Sequence, residues 1–415
     1  MIPALLLLAA AGAVPVTQVA NRCVFGGDKW TTAGILSRTD RHMHTARVAA
    51  TGIRFAYTNS GSGPSGAAPG PNAFTLAAAI EKGGTVYPLT FGGVARTTVD
   101  PGEVVVSDPC YAVSLSPGDD FYSRTYAEVA SAGQKVPISM RETHIASRGD
   151  GSTYSTTGAD LTTVGSATPP ASNARGIWPQ AIGGVPTAPG ATAVAVLGSS
   201  TPEGQGDNTS DAALPPGYVA RACEAAGVPY ANFALSGDRF QYIRDATEQG
   251  RRFGDLLSWV SHIVCDYGVN DLINLRTLAQ MQADGIAFWG YLAATGKLVS
   301  QATFKPYTSS TDGWVTVENQ TPGGVNPTRL AWNAWLRDGA PLIAGAAAAT
   351  GTTDPAAVRV GSAGHPLDAV LEVADALESS RDSGVWTPGY TSDGLHPNPT
   401  GHAAAAAVAS AWILA

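Results

Sequence analysis

The apolar and polar positions of this chain follow one pattern in its first part and another in its last. From about Arg47 to Val129 the pattern has period two: Ile53, Phe55 and Tyr57 alternate with Arg54, Ala56 and Thr58, and Phe121 to Tyr126 repeats it. Such alternation marks half-buried strands. Turn clusters separate the runs at Ser60 to Pro71, Gly92-Gly93 and Pro117-Gly118, spacings that suit a β-sandwich or jelly roll. Only Ala73 to Lys82 offers a helix-length amphipathic stretch in this region. Residues 165–190, rich in Pro, Ala, Gly and Ser, read as a connector.

Beyond the connector, Ala191 to Leu197 is a continuous apolar run of strand length, followed by a Gly/Ser loop and a helix candidate from Pro216 to Gly227. The order repeats: Ala231 to Ala234 precedes a helix near Phe240 to Arg251, and Trp259 to Tyr267 precedes helices from Leu272 to Thr295. Apolar strands alternating with helices imply a parallel sheet covered on both faces, here a flavodoxin-like three-layer α/β sandwich. Ala340 to Thr350 reads as an Ala-rich helix. The expected organisation is a signal-like segment at 1–20, an all-β sandwich at 21–164, a linker at 165–190 and an α/β domain at 191–415. A chain shortened to begin near Pro179 is then expected to stay soluble.

Composition narrows the function classes. With 44% hydrophobic against 14% charged residues, the chain has apolar material for real cores and is not disordered. Thirty-three acids against twenty-five bases give a net charge of -8, so no basic surface is offered to nucleic acid. The apolar run Leu5 to Val16 is shorter than the roughly 20 residues that span a bilayer. It reads as a secretory h-region, although no Lys or Arg precedes Arg22; the expected location is secreted or periplasmic. The four cysteines leave two readings open. Either Cys23 pairs with Cys110 and Cys223 with Cys265, or thiols such as Cys265 are small buried apolar groups on their strands.

Reactive groups of an open parallel sheet belong on loops at the carboxyl ends of its strands. Four loops qualify: Gly198-Ser199-Ser200-Thr201, Ser236-Gly237-Asp238, Gly268-Val269-Asn270-Asp271 and Asp393-Gly394-Leu395-His396-Pro397. The first exposes a serine near backbone N–H groups that favour negative charge. In the second, glycine lets a backbone N–H approach a ligand. The third offers an amide donor, and the fourth a carboxylate three residues before an imidazole. Together, in this order and spacing, they resemble the SGNH hydrolase family, also called GDSL esterases; GVND and DGLHPN carry the resemblance most specifically. It covers roughly the last 225 residues. The resemblance implies a Ser200 nucleophile, an oxyanion hole of the Ser200 N–H, Gly237 and Asn270, and a triad completed by Asp393 and His396. Ser199 stands where the family usually has Asp, which puts the rigidity of the nucleophile turn in doubt.

The chemistry of these residue types agrees. A serine hydroxyl needs a base to take its proton, and imidazole, with an ordinary pKa of about 6.5, suits that task. A carboxylate on the same turn can accept the other ring N–H and stabilise the imidazolium. His42 and His44 point the same way on a strand, but without a third ligand type nearby a surface or packing role is expected. Trp386, just before the Asp393 loop, is the aromatic candidate for lining an acyl or sugar site. No cofactor or metal is implied. The expected activity is that of a serine esterase, first of acetylated carbohydrate, since exported members with an appended β-sandwich often act on polysaccharide acetyl groups. The alternatives are a lipase or general acyl or polyester hydrolase, and a non-catalytic carbohydrate-binding protein whose SGNH domain is degenerate at Ser199.

Overall fold

A computed structural model describes residues 15–26, 29–30, 34–139, 141–153, 156–208 and 214–414. Of the signal-like segment at 1–20, residues 1–14 lie outside the described residues, while Thr17–Gln18 is a strand and Val19 and Ala20 are buried. In the first part of the chain two antiparallel sheets form. One has the order Thr17–Gln18, Ala181–Pro186, Ala50–Thr58, Val104–Val106. The other runs Thr97–Val99, Phe74–Lys82, Asp120–Glu128, Ser37–Thr45, Gly151–Ser152. The period-two positions Ile53, Phe55 and Tyr57 are buried with Leu76, Ala78, Ile80 and Phe121, and the Tyr57 hydroxyl meets Thr125 Oγ1 of the other sheet at 2.8 Å.

The amphipathic stretch at Ala73 to Lys82 is a strand, not a helix. Phe74, Leu76, Ala78 and Ile80 form a period-two set, and Gly83-Gly84 turn the chain back into Thr85–Pro88 as a hairpin. Its Glu81 is buried on the opposite face, where Arg41 grips it with two bonds of 2.7 Å and Arg124 adds one of 2.8 Å. The expected connector is also partly strand. Ala181–Pro186 pairs with Ala50–Thr58, and Ile177, Trp178 and Ile182 supply the buried apolar positions that hold this Gly/Pro-rich run.

The remaining sheet is parallel, in the order Cys23–Val24, Tyr230–Asn232, Val194–Gly198, His262–Asp266, Leu298–Ala302, Ala369–Leu371. Without its first member this is the 2-1-3-4-5 order of flavodoxin-like sheets. Successive side chains of each strand face opposite layers. Val194, Val196 and Val264 pack with the helices Tyr218–Ala226 and Pro399–Ile413. Ala195, Leu197, Ile263 and Cys265 belong to the core that holds Trp289 of Leu278–Ala293 and Trp332 and Trp335 of Asn326–Arg337. The Ala-rich run at Ala340 to Thr350 is not a helix: Leu342–Ile343 and Ala346–Ala347 form a short hairpin, with non-glycine positive φ at Ala340 and Ala344 that an α-helix does not allow.

All four cysteines are free thiols. Cys223 and Cys265 face opposite sides of the parallel sheet, so no bridge between them has a path. Burial pushes the Cys23 thiol up to about 12, which leaves it unreactive.

The edge strand Cys23–Val24 comes from the first part of the chain and pairs with Tyr230–Asn232, and one apolar cluster runs from Val19, Ile53 and Phe55 through to Phe233, Ile263 and Trp289. The shortened chain beginning near Pro179 loses that edge strand and those partners. It is now expected to aggregate, with little soluble monomer on size-exclusion chromatography, where the full chain elutes as a single folded species; an active soluble fragment would reverse this.

Candidate active site

The four loops emerge where the strand order reverses, between Val194–Gly198 and its two neighbours. Val194–Gly198 leads through Ser199 into the short helix Ser200–Glu203. The Leu235 N–H donates to the Gly198 carbonyl at 3.0 Å, which draws the Ser236-Gly237-Asp238 turn alongside the serine loop. Gly198 also pairs with Asp266, just upstream of Gly268-Val269-Asn270-Asp271. Three of the four loops are thus brought together by the sheet itself.

The fourth arrives from the far end of the chain, and side chains make the connection. Ser200 Oγ lies 2.8 Å from His396 Nε2, and His396 Nδ1 lies 2.7 Å from Asp393 Oδ2. With a carboxylate on Nδ1, that nitrogen carries the proton and Nε2 is left to accept from the serine. The other oxygen, Asp393 Oδ1, accepts the N–H groups of Leu395 at 2.9 Å and His396 at 2.7 Å. Partial burial alone would raise the Asp393 carboxyl, but the hydrogen bonds from the His396 ring and from these two N–H groups hold it well below the usual carboxylate range. The turn that places these groups needs glycine at 394: its φ is +75°, and a Cβ there would lie 2.0 Å from the Thr308 carbonyl oxygen.

Trp386 does not line the site. It is fully buried, and its Nε1–H donates to the Gly394 carbonyl at 3.0 Å, so it holds the Asp393–His396 turn from behind. The half-buried ring of Trp314 also stands against that turn, near enough that a Gly394 Cβ would meet it at 2.7 Å. Its place follows from a hairpin between Thr308–Ser310 and Gln320–Pro322, for which the sequence pattern carries no distinct sign.

Gly237 has a φ of +81° with open space around the position of a Cβ. Among the described residues neither its N–H nor that of Ser200 has a protein acceptor. Asn270 is tied to the same turn, its Nδ2 donating to the Asp238 carbonyl at 3.0 Å, and the second amide hydrogen is left over. Ser200, Gly237 and Asn270 thus present donors that the protein itself does not consume. Among the described residues the buried Ser199 hydroxyl has no hydrogen-bond partner, so this side chain adds no bond to the turn.

Two carboxylates in these loops act on the scaffold. Asp271 accepts the N–H groups of Phe240 at 2.9 Å and Gln241 at 3.3 Å, capping the helix Phe240–Ile243 that follows the Gly237 turn. Burial pushes its carboxyl up to about 6. Asp238 is buried against Arg252 at 2.7 Å. Neither partner is adjacent in sequence, so neither role could be read from the motif letters. His42 and His44 are buried packing groups. The His42 ring stacks on Trp178 at 3.6 Å and on His144 at 4.4 Å, and His44 is bonded to the Asn21 carbonyl and Ser123 Oγ at 2.9 Å each. Among the described residues no cluster of three or more His, Cys, Asp or Glu side chains could hold a metal ion, and no helix is long and apolar enough to cross a membrane.

Among solved structures the chain is similar to a putative lipolytic protein of the G-D-S-L family from Desulfitobacterium hafniense, 17% identical over 53% of this chain and 98% of that one, with a TM-score of 0.38. It is similar to a GDSL-like lipase from Bacteroides thetaiotaomicron, 14% identical over 54% and 88%, TM-score 0.35. A Bacillus subtilis protein aligns over 87% of this chain and 88% of its own at 13% identity and a TM-score of 0.34. A search of curated proteins finds no match. The model of the GDSL-like lipase/acylhydrolase family matches residues 196–404, half of the 415 residues and all four loops that carry the candidate site. This chain therefore belongs to the GDSL-like lipase/acylhydrolase family.

Proposed function

We propose that the protein is an exported serine esterase that cleaves carboxylic esters through an acyl-enzyme, with O-acetylated polysaccharide as its first substrate class. The observation that carries the reading is the unbroken relay from Ser200 Oγ through His396 to Asp393, at 2.8 and 2.7 Å. As Ser200 Oγ attacks the ester carbonyl, its proton passes to His396 Nε2. Asp393, held ionised, stabilises the imidazolium. The carbonyl oxygen becomes an oxyanion, for which the N–H groups of Ser200 and Gly237 and the Asn270 amide are the available donors, each worth roughly 3 kcal/mol in the barrier. His396 then protonates the departing alcohol oxygen and later takes a proton from the water that releases the acid. No cofactor takes part. Export is supported by the apolar opening of the chain, Leu5 to Val16, and the acetyl-polysaccharide class by the β-rich part joined to the family domain.

A lipase-like preference for longer acyl chains is the second reading. Exposed Leu275, just beyond the helix that carries Asn270, and Val315, next to Trp314, favour it. Hydrolysis of p-nitrophenyl acetate, butyrate and octanoate, beside acetate release from acetylated xylan, separates the two. Rates that fall with chain length, together with acetate release, support the first; rates that rise with chain length support the second. No hydrolysis of any ester would overturn both and leave a binding protein.

Asn270→Ala is expected to lower kcat by roughly 10²-fold or more with KM little changed, because the lost donor acts on charge present only in the transition state. The same change cuts the tether to the Asp238 carbonyl. A pure KM effect would move Asn270 into substrate binding.

A further inference from the structure

Arg252 is fully buried at the end of the helix Ala246–Arg252, and its guanidinium reaches the roots of two of the three loops that carry oxyanion donors, those of Gly237 and Asn270. Its Nε and Nη2 donate to the Phe233 carbonyl at 3.0 and 2.5 Å, where the chain leaves Tyr230–Asn232 for Gly237. Nη1 donates to Asp238 Oδ2 at 2.7 Å, immediately after Gly237. Nη2 also meets the Tyr267 hydroxyl at 3.1 Å, three residues before Asn270. The Asn270 amide closes the ring by holding the Asp238 carbonyl. A planar fork that spends its donors on two loops fixes their separation better than a point charge does.

The β-rich part of the chain completes this arrangement. Arg252 also faces Glu248 at 3.3 Å, and Glu248 Oε1 accepts the Ala67 N–H at 2.6 Å. Ala67 lies on a hairpin of Ser60–Gly63 and Gly66–Pro69. Gly66 presses so closely that a Cβ would sit 2.7 Å from the Glu248 carboxyl. Ala67 and Phe25 are buried against Leu235, two residues before Gly237, and the Arg252 guanidinium carbon stands 5.0 Å from the centre of the Phe25 ring. One cation thus serves two buried carboxylates, and burial pushes Glu248 up to about 7. The hairpin N–H supplies part of what that carboxylate lacks.

We infer that Arg252 is a positioning residue for the Gly237 and Asn270 loops, and that the hairpin of Ser60–Gly63 and Gly66–Pro69 completes its grip, making the β-rich part of the chain a structural component of the oxyanion site. The inference rests on the esterase reading. A merely structural ion pair would cost folding stability and leave the turnover of correctly folded molecules alone. A positioning role makes transition-state stabilisation depend on it.

Two full-length variants distinguish these. Arg252→Lys keeps the charge and loses the fork; Gly66→Ala crowds Glu248 from the hairpin side and touches none of the reacting groups. Active sites are counted by titration with a phosphonate, and kcat per site, KM for p-nitrophenyl acetate and affinity for an alkyl boronic acid, which binds serine as a tetrahedral anion, are measured. Arg252→Lys is expected to lower kcat per site by roughly tenfold or more, and Gly66→Ala by a few-fold, since small displacements of preorganised donors cost this much. KM stays within about twofold, and boronate affinity falls in parallel with kcat. Unchanged kcat per titrated site and unchanged boronate affinity overturn the inference, whatever happens to the melting temperature. Should Arg252→Lys fail to fold, Gly66→Ala decides alone by the same two readouts. A wild-type protein without esterase activity overturns the esterase reading and this inference with it, whereas an active wild type with unaffected variants overturns this inference alone.

Discussion

Ser200→Ala is expected to lower kcat for p-nitrophenyl acetate by about 10⁴-fold or more, leaving only the residual contribution of substrate binding and the oxyanion donors. The two adjacent serines differ in what they face. Ser200 Oγ stands 2.8 Å from the His396 ring nitrogen, while Ser199 Oγ is buried with no partner among the described residues to take its proton. Without a base a serine hydroxyl is a poor nucleophile at neutral pH, so Ser199 cannot replace its neighbour. Treatment with an organophosphonate, digestion and mass spectrometry should place the label on Ser200. Ser199→Ala should keep both the label and most of the activity, because its hydroxyl makes no bond that the turn would miss. Label on Ser199, or full activity in Ser200→Ala, would remove the assignment on which the proposed mechanism rests.

The parallel sheet was legible because its strands are buried on both faces. Such strands read as near-continuous apolar runs, and Ala191 to Leu197 and Trp259 to Tyr267 stand out from their surroundings for that reason, although the second carries Ser261, His262 and Asp266. The alternation with helices implied a flavodoxin-like parallel sheet, and the sheet is parallel and joined by helices. Leu298–Ala302, with Ser300 and Gln301 inside it, and the short Ala369–Leu371 were not singled out in the sequence, and the edge strand from the first part of the chain was not legible at all. Cys23–Val24 is two residues long, too short for any period, and joins the sheet only because Ala231 and Asn232 offer an open edge.

Other misses have a common cause in tertiary contacts that override local preference. Ala and Leu favour helices, yet Ala73 to Lys82 is a central strand, because Asp120–Glu128 pairs along it and Glu81 finds two arginines across the sheet. The Ala340 to Thr350 run has the composition of a helix but no apolar stripe to bury. The Pro- and Gly-rich connector carries just enough apolar residues, Ile177, Trp178 and Ile182, to be drawn into a sheet. In the candidate site, the Ser200 and Asp393–His396 loops stand out in the sequence because few residue types fall at short spacing, and their side chains meet at 2.8 and 2.7 Å. Trp386 was misread because sequence proximity to Asp393 does not reveal on which side of the turn a side chain packs; its indole supports the Gly394 carbonyl from the core.

His396→Ala should cost more than Asp393→Asn, and the pH dependence should separate their roles. His396 must be neutral to accept the Ser200 proton, so kcat/KM is expected to fall on the acid side. Asp393 does not titrate in that range, since the hydrogen bonds from the His396 ring and the His396 and Leu395 N–H groups outweigh its partial burial and keep it ionised far below neutrality. The acid limb therefore does not come from Asp393, whereas the Asp271 and Glu248 carboxyls, pushed up to about 6 and about 7 by burial, can add to it. Removing the ring removes the base that faces Ser200 Oγ at 2.8 Å, and the loss should match that of Ser200→Ala, since the two act as one unit. Asp393→Asn keeps the base but replaces the charge beside Nδ1 with a neutral amide, which stabilises the imidazolium less and permits the wrong tautomer. A loss of roughly 10²- to 10⁴-fold is expected, with the acid limb moved to lower pH because the imidazolium has lost its counter-charge. Rate profiles of the three proteins between mildly acid and mildly alkaline pH check this. An acid limb in Asp393→Asn that coincides with the wild type would mean that a carboxylate other than Asp393 sets the behaviour of His396, and the 2.7 Å contact between them would then have no part in catalysis.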